Sequence, residues 1–267
     1  MLEHKVALVT GGTRGIGLGC VQSLVNQGWL VAICSLGDDA SKQEANAALE
    51  QLSQQGQQGD SDLKAAWFAC DMRVEEDVKS LIRQVIDMYG QLDCMVNNVG
   101  WHPPAGQIDE VASGAFESLL QLNLTSTFYG CKYALPHLRK RKGSIVNISS
   151  KVGQIGQASA VGYVTTKAGQ IGMTKALALD EAGQGVRVNA ICPAGVDTPM
   201  MQQWAATLDD PASALAKEDA NHALGKMATI EEVGDVCAFL ASDAARFVTG
   251  QAIGVDGGAG LGYQRWD

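Results

Sequence analysis

A tyrosine and a lysine four residues apart, in the run Tyr163-Val164-Thr165-Thr166-Lys167, form the first pair in this chain that could move a proton. On a helix that spacing puts phenol and ammonium on one face, with Cβ atoms about 5–6 Å apart. An unperturbed phenol, with a pKa of about 10, is a poor base at neutral pH, and a fixed cation nearby favours phenolate over phenol. Ser150 precedes the tyrosine by thirteen residues. Its hydroxyl could hydrogen-bond a substrate oxygen beside the phenol, giving a proton-transfer site with an orienting donor. The same spacing also occurs on ordinary helices, so the elements that position the pair must decide.

Ser144 to Ile148 is a short apolar run expected as a buried strand ending at Ser149-Ser150, and Tyr163 to Ala182 is expected as a long helix. Upstream, the apolar run Lys5 to Thr10 leads directly into Gly11-Gly12-Thr13-Arg14-Gly15-Ile16-Gly17 and then a helical pattern to Gln27. Glycines between a strand and a helix allow a tight turn and close backbone approach to a pyrophosphate, whose charge the helix N-terminus meets. The next strand, Trp29 to Cys34, is followed by Ser35 where an NAD-specific protein usually places an acid for the ribose hydroxyl. Asp38 lies a few residues later, and Arg14 could meet a 2′-phosphate; the choice between NAD and NADP leans to NADP.

Residues 41–59 read as a helix running into a glutamine-rich loop. Strand and helix then alternate: Ala65 to Ala69, Glu75 to Tyr89, Leu92 to Val96, Ser113 to Leu138, the Ser144 strand, the Tyr163 helix and Arg187 to Ile191. Such alternation predicts an α/β fold, one Rossmann-type, doubly wound parallel sheet in a single domain over 1–267, with function at the carboxyl ends of the strands. Non-apolar groups stand at four such ends: Asp71, Asn97-Asn98-Val99-Gly100, Ser149-Ser150, and Pro193 to Pro199. Four in register outline a crevice.

A hydrophobic fraction of 46% suffices for a sizeable core, yet no apolar run approaches the ~20 residues of a membrane span. Met1 leads into the first strand with no signal-peptide pattern, so a soluble cytoplasmic protein is expected. Seven cysteines without a Cys-x-x-Cys motif fit neither a disulfide framework nor a zinc site, and no metal is required. The net charge of −9 argues against nucleic acid or an anionic membrane as partner.

With these residues together, the chain resembles the short-chain dehydrogenase/reductase family over essentially its whole length. The resemblance rests on TGGTRGIG, CDM, NNVG, Asn123, Ser150, YVTTK and TGQAIGVDGG, in the family's order and spacing. It implies that Tyr163 exchanges the proton and Ser150 holds the carbonyl or hydroxyl oxygen. Lys167 would lower the tyrosine pKa and bind the nicotinamide ribose, while Asn123 would hold a water linking that lysine to solvent. For the NAD or NADP cofactor it implies Gly11, Thr13, Arg14, Gly15, Ile16, Gly17, Ser35, Asp71, Met72, Asn98, Gly100, Pro193, Val196 and Thr198 as contacts, with Asp71 capping the adenine and Thr198 at the carboxamide. Asn97 would stabilise the central strand. The family's NNAG reads NNVG here, and its Pro-Gly reads Pro193-Ala194-Gly195.

Within the family, Gly100-Trp101-His102-Pro103-Pro104, Ile155-Gly156-Gln157, the run Met173 to Glu181 and the run Gly257 to Tyr263 resemble the group of type 14 17-beta-hydroxysteroid dehydrogenases and L-fucose dehydrogenases. That group implies His102 and Gln157 as substrate-pocket residues. It also implies a homotetramer, in which a tail matching Tyr263 reaches a neighbouring subunit. The segment 196–227, with Trp204, reads as a substrate lid. The expected activity is hydride transfer between nicotinamide and the alcohol or carbonyl of a small molecule, a sugar or a 17-hydroxysteroid. Arg139 to Lys142 could instead meet an acidic carrier protein, as in 3-oxoacyl-carrier-protein reductases, or could be a solvated helix end. A dinucleotide-binding sensor or scaffold without turnover is the reading from a different class.

Overall fold

In the computed structural model, which describes residues 4–54 and 65–261, seven parallel strands form one sheet in the order β3-β2-β1-β4-β5-β6-β7. The elements run β1 (Val6–Thr10), α1 (Gly15–Asn26), β2 (Leu30–Ser35), α2 (Asp39–Gln54), β3 (Ala65–Ala69), α3 (Glu75–Tyr89) and β4 (Cys94–Asn97). They continue with α4 (Ser113–Leu120), a π-helical turn (Gln121–Thr125), α5 (Ser126–Arg141), β5 (Ser144–Ile148), α6 (Val152–Ile155), α7 (Val161–Glu181) and β6 (Arg187–Pro193). After β6 come α8 (Pro199–Ala205), α9 (Pro211–Ala220), α10 (Ile230–Ala241) and β7 (Ala252–Val255). Parts of the glutamine-rich loop and the tail from Gly262 onward, including Tyr263, lie outside the described residues.

Each central strand is apolar on both faces because both are covered. Ala7 and Val9 of β1 join a core with Val21 and Leu24 of α1, Leu52 of α2 and Val233 and Leu240 of α10. Val6 and Leu8 point the other way, into a core with Leu81 and Val85 of α3, Leu135 and Leu138 of α5 and Ala178 of α7. All seven cysteines are free and buried. No helix among the described residues is long and apolar enough to cross a membrane.

The helix expected over Ser113 to Leu138 is two helices joined by a π turn, in which Ser126 N–H donates to Gln121 O, five residues back. No glycine or proline marks residues 121–125, so periodicity alone could not reveal it. β2 extends through Ser35, and β4 begins at Cys94 rather than Leu92. Helix α10 and strand β7 carry no expectation from the sequence pattern, although β7 lies within the quoted TGQAIGVDGG. Against α1, α10 packs so closely that a Cβ at Gly234 would lie 2.2 Å from Gly19 O. Its entry is fixed by a capping box: Thr229 accepts from Glu232 N–H while Glu232 accepts from Thr229 N–H. Gly234→Ala should therefore force these helices apart and cost about 1–3 kcal/mol of stability, read as a lowered urea midpoint; an unchanged midpoint would mean that the contact relaxes freely.

Candidate active site

The carboxyl ends of β1, β4, β5 and β6 converge, and backbone chemistry ties them together. Thr10 Oγ1 accepts from the N–H groups of Asn98 (2.9 Å) and Val99 (3.1 Å), joining β1 to the NNVG turn. Asn98 Nδ2 donates to Thr10 O and Gly11 O, so its amide braces the glycine turn. Asn97 Nδ2 donates to Asn147 Oδ1 at 2.9 Å, and Asn147 Nδ2 donates to Thr174 Oγ1 of α7. A buried polar ladder thus links β4, β5 and the helix that carries Tyr163.

The glycine turn fits a dinucleotide. Gly11 and Gly15 take φ of +63° and +55°, and α1 starts from an extended Arg14 that makes no side-chain cap bond to the first turn. A Cβ at Gly17 would lie 2.1 Å from Gly11 O, so the turn folds directly onto the helix start. Thr198 lies across the turn, its methyl 3.7 Å from a Cβ built on Gly15, while its hydroxyl accepts from Met201 N–H and caps α8. Thr13, Ile16, Pro193 and Gly100 stand on the same turn or strand ends. Gly100 faces Asn123 and Lys167, and its Cβ position is 3.5 Å from Lys167 Nζ. Val196 pairs with Ala228, closing the base of the excursion that holds α8 and α9.

Several charges expected to face the cofactor are engaged locally. Arg14 Nη1 lies 3.0 Å from Glu44 Oε1 of α2, and Thr13 Oγ1 is 3.5 Å from the same carboxylate. The Asp71 carboxylate accepts from Arg73 at 2.6–3.1 Å, and that guanidinium holds it below the usual carboxylate range. Met72, beside it, is buried. Asp38 caps Ser41 N–H at 2.7 Å, and Ser35 Oγ accepts from Trp67 Nε1 at 2.8 Å.

Tyr163 and Lys167 share one face of α7, with Nζ 5.7 Å from the phenol ring centre. Lys167 is 4% exposed and donates to Ile148 O (2.9 Å) and Gln170 Oε1 (3.2 Å). Burial pushes its pKa down to about 8, while the nearby Cys192 thiol of β6 pulls the other way. The tyrosine differs from expectation. Burial pushes its pKa up to about 12, opposed by a hydrogen bond with Ser150, so desolvation outweighs that bond in setting the phenol. Ser150 Oγ also accepts from Val152 N–H and lies 3.5 Å from Pro193 O. Asn123 is fully buried and braces the backbone of Trp101 through both ends of its amide, each at 2.9 Å. Its backbone carbonyl accepts from Gln170 Nε2 at 2.8 Å.

Above the phenol, His102 sits with its ring centre 4.2 Å from that of Tyr163. Its Nδ1 is 2.7 Å from Pro103 O, an acceptor, so Nδ1 carries a proton. Gln157 Oε1 lies 3.1 Å from Nε2. That orientation suits a doubly protonated ring; a neutral ring needs the Gln157 amide turned so that its NH₂ donates. Gln157 itself is exposed, so the two form a rim rather than a buried pocket. The loops that carry them are clipped by Ser159, which accepts from Gly106 N–H and Gln107 Nε2 and adopts φ of +56°. Trp204 stands half exposed on α8. Sequence reasoning missed three positioning residues: Ser159, Gln170, and His222, whose Nε2 accepts from Gly195 N–H and so shapes the loop after β6. None belongs to a motif, and only the fold brings them to the site.

With that geometry in place, the chain can be set against known proteins. A family profile described as enoyl-(acyl carrier protein) reductase matches residues 11–260. The chain is 45% identical to the L-fucose dehydrogenase of Bos taurus over 98% of its own length and 91% of that protein. It is 36% identical to the 2,5-dichloro-2,5-cyclohexadiene-1,4-diol dehydrogenase of Sphingobium indicum, over 96% of its length and 97% of that protein. The ligand-free aldohexose dehydrogenase of Thermoplasma acidophilum superposes with a TM-score of 0.86 at 31% identity, covering 100% of this chain and 98% of that one. The chain belongs to the short-chain dehydrogenase/reductase family. It is an oxidoreductase of CH–OH groups that uses a nicotinamide cofactor. Tyr163→Phe, which removes only the ionisable oxygen, should lower kcat by about 10²–10⁴-fold and leave dinucleotide affinity near wild type; retained turnover would take Tyr163 out of the proton transfer.

Proposed function

We propose that this enzyme oxidises a polyhydroxylated small molecule, an aldose of the L-fucose type, at its anomeric hydroxyl. The observation that carries the reading is His102, which stands over the Tyr163 ring and hydrogen-bonds Gln157. A rim of donors and acceptors can hydrogen-bond a substrate that carries several hydroxyls. The names of the Bos taurus and Thermoplasma acidophilum relatives, both dehydrogenases of sugars, support the same direction.

A bound nicotinamide dinucleotide supplies the hydride acceptor. The chain's own residues handle the proton: Ser150 Oγ orients the substrate oxygen, and Tyr163 Oη takes its proton as phenolate. Lys167 stays close enough to favour that phenolate electrostatically and to reach a ribose hydroxyl. Because burial holds the phenol protonated at neutral pH, proton donation to a carbonyl comes readily and oxidation gains from rising pH. In this reading one dinucleotide-binding domain spans 1–267, with 196–227 as substrate lid, in a cytoplasmic homotetramer.

The carrier-protein alternative loses support from position. Arg139 to Lys142 end α5 and precede β5, at the amino edge of the sheet, opposite the crevice. There Arg139 pairs with Glu181 at 2.6 Å and Arg141 with Asp93 at 2.9 Å. Steroid 17-hydroxyl oxidation is the nearer competitor. In a panel of aldoses, 17-hydroxysteroids and carrier-linked ketoesters, kcat/KM should be highest for an aldose. Gln157→Leu should lower that value by about tenfold, with a smaller effect on any steroid. Inactivity on every aldose alongside rapid ketoester reduction would refute the assignment.

For the cofactor we propose NADP with a modest preference. Ser35 offers no carboxylate to repel a 2′-phosphate, and Arg14 is near enough to meet one, but Glu44 holds that guanidinium and opposes the phosphate. Glu44→Gln should raise the NADP-to-NAD ratio of kcat/KM by roughly tenfold, while Ser35→Asp should lower it. A ratio that ignores both changes would place selectivity elsewhere.

A further inference from the structure

The Lys167 ammonium reaches the Asn123 carbonyl through a protein side chain. Gln170, one helical step beyond Lys167 on α7, is fully buried and uses its whole amide. Its Oε1 accepts from Lys167 Nζ at 3.2 Å, and its Nε2 donates to Asn123 O and to Thr127 Oγ1, both at 2.8 Å. Thr127 Oγ1 in turn donates to Asn123 O at 3.2 Å. The π turn presents that carbonyl: within it Ser126 N–H is drawn back to Gln121 O, and the carbonyl of Asn123 points to α7. Two helices and the end of β5 therefore meet at one cation, and the amide can satisfy both partners in only one orientation, since ammonium donates and carbonyl accepts.

We infer that Gln170 is a positioning residue for the Lys167 ammonium, a fixed strut between that cation and the Asn123 carbonyl. The inference rests on the reading that Lys167 serves the dinucleotide ribose and the Tyr163 phenolate. An amide passes protons poorly, so the strut fixes the charge in place rather than relaying it. Besides Ile148 O, Gln170 Oε1 is the acceptor the structure gives this buried cation. The titratable groups facing Lys167 are Tyr163 on its own helix and Cys192 on β6. Neither is an anion at neutral pH, which leaves hydrogen bonding to hold the ammonium charged.

Gln170→Met keeps size and removes the acceptor, so Lys167 should lose its proton at lower pH. Gln170→Glu keeps the shape and adds an anion, so Lys167 should keep its proton to higher pH. The readout is the affinity for NADP and NAD, followed by quenching of tryptophan fluorescence across pH in the full-length protein. The pH midpoint at which affinity falls should move down by about one unit in Gln170→Met and up in Gln170→Glu. In the first variant kcat for oxidation should fall roughly tenfold, its acid limb should move to higher pH, and KM for the substrate should stay near wild type. Lys167→Met separates the two ideas. If it weakens binding while both Gln170 variants keep the wild-type midpoint, the strut is wrong. If Lys167→Met binds dinucleotide as tightly as wild type, the assignment of the lysine falls, and the strut with it. Should Gln170→Met fail to fold, the upward shift in Gln170→Glu still decides, and its absence overturns the proposal.

Discussion

A buried ammonium is the constraint around which the rest of this site is arranged. Lys167 at 4% exposure would be costly without partners, and the structure gives it Ile148 O and Gln170 Oε1 rather than a carboxylate. A carboxylate would neutralise the field that the neighbouring phenol feels; neutral oxygens satisfy the cation and leave its charge uncancelled. The choice of partners then dictates architecture. β5 must end at Ile148 beside α7, and Asn123 must turn its carbonyl toward Gln170, which an uninterrupted helix from Ser113 onward would bond internally. The π turn at Gln121–Thr125 is the local departure that frees it.

The parallel sheet places these groups at one edge because every strand ends there. Asn97 to Asn147 to Thr174 crosses from β4 through β5 to α7, so the phenol's helix is registered against the central strands by buried amides as well as by apolar packing. A slip of α7 along β5 would break these bonds together with those of Lys167. Buried polar ladders of this kind are costly when partly satisfied, and here one acceptor, Asn97 Oδ1, has no partner among the described residues. Close packing accounts for its setting, since a Cβ on Gly130 would lie 2.2 Å from that oxygen.

Much of this was legible in the sequence wherever one residue type at one spacing carries the chemistry. The glycine turn after β1, Tyr163 with Lys167, Ser150 at a strand end and alternating elements each give a local signal. What escaped depends on partners distant in sequence. Glu44 faces Arg14 only because α2 packs beside the glycine turn. The pKa of Tyr163 escaped for the same reason: i,i+4 spacing reports the nearby cation, while desolvation reflects the whole enclosure. His102 and Gln157 were found by resemblance, but their mutual hydrogen bond and the Ser159 clip required the folded loops.

The chemistry and the recognition proposed here are built on different parts of the chain. Tyr163, Lys167, Asn123 and Ser150 sit on or next to α7, the π turn and β5, whose positions are set by core packing and buried amides. His102 and Gln157 belong to loops held by a few exposed hydrogen bonds. Loops tolerate substitution that a packed helix does not. A scaffold divided this way can keep one proton-transfer apparatus while the rim changes, consistent with relatives as different as a sugar dehydrogenase at 45% identity and a chlorinated cyclohexadienediol dehydrogenase at 36%. In the proposed reading substrate identity is a property of the rim, where His102 lies over the Tyr163 ring and Gln157 hydrogen-bonds His102.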